Sequence, residues 1–420
     1  MYDFGNKMDA EFSNCNSGLP AQAQCPTDHL TGHPPCVEAG VLLVADDLTG
    51  ACDSGLAFVN HGFTASIQIS AGRLRPEPGT DVVAISAETR NLPPEKAGAR
   101  MGELAALHRR DGALLFHKSD SAGRGNPGEE MLALARVNGC DTLLYTPAFP
   151  SAGRVVRNGH LTVSDFSGQT STLDLRQLIP ASARERICVV PTGSEAELRR
   201  ILLEASGAGR NIWLCDADTE QDLAQLVRAA FGLQQHLFPP QRLLWSGSAG
   251  LAAAVAAAVA GERVAHATPL PFPSVQGRVL IVCGTPHPVT SLQMRKLILR
   301  ATPLSMASTL DLPAFDCGVL SVNLADCQPE RFRRFWQKLH DAGHPPVVSL
   351  VLTGGDTAAF VLASLGTERL QLGGEVEPGI PWSVVRGGQA DGCVVITKSG
   401  GFGTEESLVN LAGYCQRMQR

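Results

Sequence analysis

Aromatic residues make up only 5% of the 420-residue chain, and no apolar stretch is long enough for a membrane helix. The longest such run, LAAAVAAAVA over 251–260, has about half the length a span needs. Residues 1–20 carry Asp3, Asp9 and Glu11 and no apolar stretch of the kind a secretion signal requires. Long basic runs are missing too, and the net charge is −6. That argues against a nucleic-acid partner and means an anionic ligand needs local positive charge. The 12 cysteines include no C-x-x-C pair, so they read as reduced, mostly buried thiols. Cys15, Cys25, Cys36, His29 and His33 cluster near the start, but their spacing fits no standard zinc pattern, and no protein-held metal is expected. A Walker A sequence is absent, which excludes an ordinary P-loop nucleotidase. What these absences leave is a cytoplasmic enzyme acting on small molecules.

Hydrophobic residues, at 44%, suffice for large cores, and glycine and alanine are abundant. Small residues suit close helix–sheet layers, so the expected fold class is α/β. The length suggests two or three domains. Residues 1–38 are polar and aperiodic and read as a disordered extension. Strand signals follow at 41–45, 67–69, 82–86, 113–120 and 142–148, then at 187–191, 212–218 and 242–247. Helical patterns lie between them, notably after Asp47 and over 93–110 and 127–138. The proline-rich segment 266–277 reads as a linker. A second set of strands is expected at 278–284, 319–324, 347–352 and within 392–403. The expected architecture is therefore two domains, 39–265 and 278–420, each a mainly parallel sheet flanked by helices.

Three strand-end turns in the second domain carry ligand-type residues: CGTPHPVT (283–290), LTGGDT (352–357) and TKSGGFGTEE (397–406). Ligands of open parallel sheets bind outside the carboxyl ends of strands. Gly354, Gly355, Gly400 and Gly401 allow close backbone approach, Lys398 brings charge, and Thr285, Thr353, Thr357 and Ser399 bring hydroxyls. Together they suit a nucleotide polyphosphate. The alternatives are structural: Asp356 or Thr357 as a helix cap, His287 as a turn residue, Lys398 as a surface lysine. A G-x-G-x-x-G pattern at Gly123, Gly125 and Gly128 lacks the preceding apolar strand and the later acid of a dinucleotide site.

Polar residues also follow three strands of the first domain. They are Asp46 and Asp47; Glu88, Thr89 and Arg90; and Lys118, Ser119, Asp120 and Ser121, with Arg124 and Asn126 beyond. Carboxylates beside cations and hydroxyls suit a small hydroxylated acid, its carboxylate held by Arg or Lys and its hydroxyls by Asp. A simpler role for one of Asp46 and Asp47 is to cap the next helix. Segment 146–160 is turn-rich and ends in Arg154, Arg157 and His160, either a solvated basic patch or part of this site.

In order along the chain, ADDLTGACDSG (45–55), ETRNLPPEKA (88–97), HKSDSAGRGNPGEE (117–130), PAFPSAGR with NGH (147–160), LTGGDTA, EVEPGIPW (375–382) and KSGGFG resemble the motifs of the four-carbon acid sugar kinases. The likeness runs from about residue 40 to 412. It implies an ATP-dependent kinase that phosphorylates the terminal hydroxyl of a threonate, erythronate or 3-oxo-tetronate type acid, with Mg2+ on the phosphates and Asp356 assisting through water. By the same resemblance, Asp46, Asp47, Arg90, Lys118, Asp120, Ser121 and Ala122 touch the sugar acid, joined by Arg124 and Asn126 from the first-domain cluster. Thr285, His287, Gly354, Gly355, Asp356, Thr357, Lys398, Gly400 and Gly401 lie at ATP. Asp47 or Asp120 is the expected proton acceptor, with Lys118, Arg124 or Lys398 offsetting charge. A homodimer is compatible with this reading. Two departures stand out. Ala122 and Gly123 replace the family's Thr and a larger residue, and GTPH (284–287) replaces its G-S-x-S turn. These changes keep open a non-catalytic binding protein on the same scaffold.

Overall fold

The computed structural model describes residues 40–69, 78–164, 168–234, 242–261, 270–274, 276–307, 313–340 and 345–418. The extension expected over 1–38, its cysteine and histidine cluster, and part of the segment 266–277 fall outside these residues.

VLLVA at Val41–Ala45 is buried along its whole length, as a central strand covered by helices on both faces must be. It belongs to a parallel set in the order Ala65–Gln68, Val82–Ser86, Val41–Ala45, Leu114–Lys118, Leu243–Gly247, Thr142–Thr146, Ile212–Cys215, Ile187–Val190. A second parallel set runs Thr302–Leu304, Cys317–Ser321, Arg278–Cys283, Val347–Thr353, Val394–Lys398. The expected α/β class is what forms. The two sets are joined edge to edge, however, in a single 15-stranded sheet. The joint is an antiparallel hairpin, Arg369–Glu377 and Ile380–Arg386, which pairs with Val394–Lys398 on one side and Ala65–Gln68 on the other.

Each set has a place where chain connections leave in opposite directions along the sheet. In the first it lies between Val41–Ala45 and Leu114–Lys118, in the second between Arg278–Cys283 and Val347–Thr353. Crevices for ligands open at such switch points. The helix Leu48–Val59 bridges the two sets, packing on the first and also on the hairpin and the helix Gly355–Ser364. Gly55 makes this possible, because a Cβ there would already stand 3.1 Å from Ile67 and 3.3 Å from Leu372.

The hairpin and a three-stranded antiparallel sheet (Arg154–Arg157, His160–Ser164, Thr170–Asp174) are not among the strands expected from sequence. A glycine pair, prolines and charges interrupt the first stretch and single glycines and polar residues the second, and tertiary pairing overrides the weak local signal. The alanine-rich run forms the helix Ala249–Ala260, buried against the sheet. No helix among the described residues is long and apolar enough to cross a membrane.

The G-x-G-x-x-G pattern is explained by packing. Gly123 and Gly125 turn the chain at positive φ (75° and 84°). Gly128 lies in the first turn of the helix Pro127–Asn138, where a Cβ would stand 2.0 Å from the Leu178 carbonyl oxygen. Gly128→Ala is therefore expected to destabilise the fold by about 1–3 kcal/mol. Urea unfolding should show a lower midpoint at an unchanged slope.

Candidate functional site

A cavity of about 450 Å3 opens where the two switch points meet. One wall comes from the first strand set. Asp47 follows Val41–Ala45 and caps the helix behind it, its Oδ1 accepting from Gly50 N at 2.7 Å. Its Oδ2 accepts from Thr49 Oγ1 at 2.8 Å and from Arg90 Nη1 at 2.6 Å. Arg90 also grips Asp46 with two bonds, Nε to Oδ2 at 2.9 Å and Nη2 to Oδ1 at 2.8 Å. Asp120 lies 3.7 Å from the same guanidinium and is held by Arg124 through Nε at 3.1 Å and Nη2 at 2.6 Å. Burial would raise the Asp120 carboxyl, but the Arg124 hydrogen bonds and the Arg90, Arg124 and Lys118 charges hold it well below the usual carboxylate range. For Asp46 burial wins over Arg90 and lifts it to about 6.

Lys118 Nζ donates to the Ser119 carbonyl at 2.8 Å and sits beside Gly50, where a Cβ would be 3.1 Å away. The preceding residue, His117, is bonded to Ser246 and Glu130 and locks this strand to its neighbours. Asp53 lies on the cavity face of Leu48–Val59, and among the described residues its carboxylate has no hydrogen-bond or ion-pair partner. Burial raises it to about 6 against the lowering pull of Lys118.

The second wall is built from turns. Gly354, at φ 99°, is the N-cap of Gly355–Ser364, and no side chain caps this helix. Neither Asp356 nor Thr357 fills that role, so the first-turn N–H groups face the cavity with the positive end of the helix dipole. Thr353 and Thr357 each bury a hydroxyl that has no hydrogen-bond partner among the described residues. A Cβ on Gly355 would stand 2.7 Å from Asp47 Oδ2, and one on Gly400 would stand 2.8 Å from Thr285 Oγ1. Glycine is thus what lets the two walls approach. His287 caps Pro288–Leu297, its Nδ1 accepting from Val289 N at 3.2 Å. The acceptor role at Nδ1 puts the proton of the neutral ring on Nε2, which faces Gly401. Burial and Lys398 both lower the His287 pKa and so favour that neutral form.

Asp47, Arg90, Lys118, Asp120, Ser121, Ala122, Arg124, Thr285, His287, Gly354, Gly355, Asp356, Gly400 and Gly401 all line this cavity. Asp46, Asn126, Thr357 and Lys398 do not. Asp46 stands behind Arg90, and Asn126 donates to the Leu92 carbonyl at 2.8 Å, pinning the loop that carries Arg90. Asp53, Thr49 and Asn91 line the cavity without having been singled out in the sequence. Asp53 sits mid-helix, and only its place one face over from the Asp47 cap could have marked it. Arg154, from the ambiguous basic stretch, lines the cavity, while Arg157 pairs with Asp218 at 2.8 Å. A second cavity of about 830 Å3 lies under the hairpin between Phe63, Phe272, Trp382 and Tyr414, and none of the predicted site residues lines it.

Lys398 is fully buried, and among the described residues its partners are Ser399 O at 3.0 Å and Thr290 Oγ1 at 3.4 Å. Desolvation lowers it to about 8. An ammonium so placed costs stability and projects positive potential under the Gly400–Gly401 turn. Lys398→Met should raise stability by about 1–3 kcal/mol while weakening polyphosphate binding about tenfold. Thermal unfolding and nucleotide titration of the same variant check the two halves of this prediction.

Two family models match the chain: one described as a sugar-binding N-terminal domain over residues 41–255, and one described as a nucleotide-binding C-terminal domain over 329–408. The chain is 31% identical over 412 residues to the D-threonate kinase of Cupriavidus necator, covering 87% of this chain and 96% of that protein. It is 24% identical over 432 residues to the D-threonate kinase of Salmonella typhimurium, covering 90% and 99%. To the 3-oxo-tetronate kinase of Pseudomonas savastanoi pv. phaseolicola it is 25% identical over 426 residues, covering 88% and 97%. Among solved structures, a Haemophilus influenzae protein shares the fold at a TM-score of 0.64 and 20% identity, over 89% of this chain and 99% of that one.

Proposed function

The chain belongs to the four-carbon acid sugar kinase family, and on that premise we propose that it transfers the γ-phosphoryl group of ATP to the terminal hydroxyl of a four-carbon sugar acid. Residues 39–265 would serve the sugar acid and 278–420 the nucleotide, joined through 266–277. The observation that carries the reading is the meeting of Gly355 with Asp47. A turn suited to phosphates abuts the carboxylate that opens the sugar-acid half, so donor and acceptor would share one wall. Phosphoryl transfer asks the protein chiefly for this alignment and for charge compensation.

The uncapped N–H groups of Gly355 and Asp356, with Thr285 and His287 on the same wall, suit phosphate oxygens. Among the described residues no group of three or more His, Cys, Asp or Glu is arranged to hold a metal. Mg2+ would be carried mainly by the phosphates, with Asp356 holding it through water, where it would neutralise phosphate charge.

Asp120, expected as a proton acceptor, already receives three bonds from Arg124 and is held strongly ionised. Asp47, the other candidate, receives three donors. Asp53 is better suited, because its carboxylate is unengaged, faces the cavity and lies beside Lys118. Lys118 would meet charge developing on the transferring group.

A coupled ATP assay across D- and L-threonate, D- and L-erythronate and 3-oxo-tetronate tests the reading. Turnover of at least one acid is expected, and silence across the panel overturns the substrate class. The acceptor must be deprotonated to work, so kcat should rise about tenfold per pH unit below about 6, where Asp53 still holds its proton, and level off above. Asp53→Asn should lower kcat about 10²–10⁴-fold and abolish that limb. A wild-type limb persisting in the variant would refute Asp53 as the acceptor.

A further inference from the structure

The cations of the cavity are not equivalent. Arg90 is saturated by Asp46 and Asp47, and Arg124 is committed to Asp120. Lys118 lies beside Gly50 and donates to the Ser119 carbonyl at 2.8 Å. Arg154 differs from the other two arginines. It lines the cavity, no ion pair reaches it among the described residues, and its Nε is buried without a hydrogen-bond partner. One of its terminal nitrogens donates to the Ala152 carbonyl. The backbone on which it stands is fixed by reciprocal bonds, Phe149 N to Arg154 O at 2.8 Å and Arg154 N to Phe149 O at 3.1 Å.

We propose that Arg154 is the carboxylate anchor of the sugar-acid site, and thereby the residue that selects acids over neutral polyols of the same length. This rests on the proposed kinase function. A cavity-lining guanidinium with no ion pair among the described residues is a place where an anionic ligand supplies the missing counter-charge. A planar guanidinium receives a carboxylate through two parallel bonds. Burial lowers the Arg154 pKa and the nearby charge of Asp120 offsets this only in part; among the described residues no carboxylate pairs with it. Its position also orients the substrate. Arg154 feels Asp120, Asp120 lies 3.7 Å from Arg90, Arg90 grips Asp47, and Asp47 meets Gly355. A carboxylate at Arg154 places the far end of a short chain toward Asp47, Asp53 and the phosphate turn. The terminal hydroxyl is then the one presented for transfer.

The test compares the best acid substrate with its neutral primary amide, using wild type, Arg154→Gln, Arg154→Lys and Arg124→Gln. For Arg154→Gln, kcat/KM for the acid should fall about 10²–10³-fold while that for the amide and the KM for ATP stay within about threefold. Arg154→Lys should recover part of the loss. Arg124→Gln should leave the acid-to-amide ratio nearly intact. An unchanged ratio in a folded Arg154→Gln or Arg154→Lys variant overturns the assignment. Calorimetry of the same acids separates this from failure of the function. If wild type turns over none of them, the kinase reading falls, yet loss of acid binding in Arg154→Gln still supports the anchor and equal binding still refutes it.

Discussion

Arg90 holds three strand ends in register. Its guanidinium binds Asp46 with two bonds and Asp47 with one, and lies 3.7 Å from Asp120. Those carboxylates follow the neighbouring strands Val41–Ala45 and Leu114–Lys118, and Arg90 itself follows Val82–Ser86. Without the cation three desolvated carboxylates would face one another, an arrangement far costlier than the solvation lost by burying Arg90. Even with it, Asp46 stays raised to about 6, which shows how much burial weighs at this point. The fork also fixes Asp47, and Asp47 is what the Gly354–Gly355 turn approaches. Alignment of the two walls therefore depends on an interaction confined to one of them.

The opposite wall has a different electrostatic character. It gains positive potential from uncapped helix N–H groups and from a single buried ammonium, not from surface cations. Lys398 contributes as a field source under the turn, since its Nζ is occupied by Ser399 and Thr290. A buried, partly deprotonated lysine is a poor stabiliser of an empty fold but is improved by a polyanion nearby, which would draw its pKa back up. Stability and binding pull in opposite directions at this residue, as they often do where charge is held for a ligand.

How far the sequence revealed this arrangement depended on what each signal encoded. Strand cores such as VLLVA and VVSLVLT are continuous apolar runs, so their place in a buried parallel sheet was readable. The three glycine turns were readable as ligand loops because a strand, a glycine pair and a helix occur in local order. The hairpin Arg369–Arg386 was not, since Gly373 and Gly374 owe their presence to Trp382, which lies across the strand pair and 8–9 residues away in the chain. Asp53 is not singled out within its motif, and Arg154 reads as either a solvated patch or part of the site, for a related reason. What distinguishes each is that no ion pair engages it among the described residues, which only three dimensions reveal. Lys398 was legible as a charge near phosphate but not as a fully buried one.

The helix Leu48–Val59 then explains how a sheet assembled from two opposed strand sets can operate as one site. Asp47, Thr49, Gly50 and Asp53 meet the cavity. Gly55 rests on the seam between Ala65–Gln68 and Arg369–Glu377, and the Cys52 thiol reaches Thr397 on the neighbouring strand. That seam itself is short, with Arg369, Leu370 and Gln371 opposite Gln68, Ile67 and Ser66. It is shorter than the pairings on either side, parallel with Val82–Ser86 and antiparallel within the hairpin. The cavity residues Asp47 and Asp53 and the seam between the two strand sets are thus tied to one element, so the site and the joint share the helix Leu48–Val59 as their common reference.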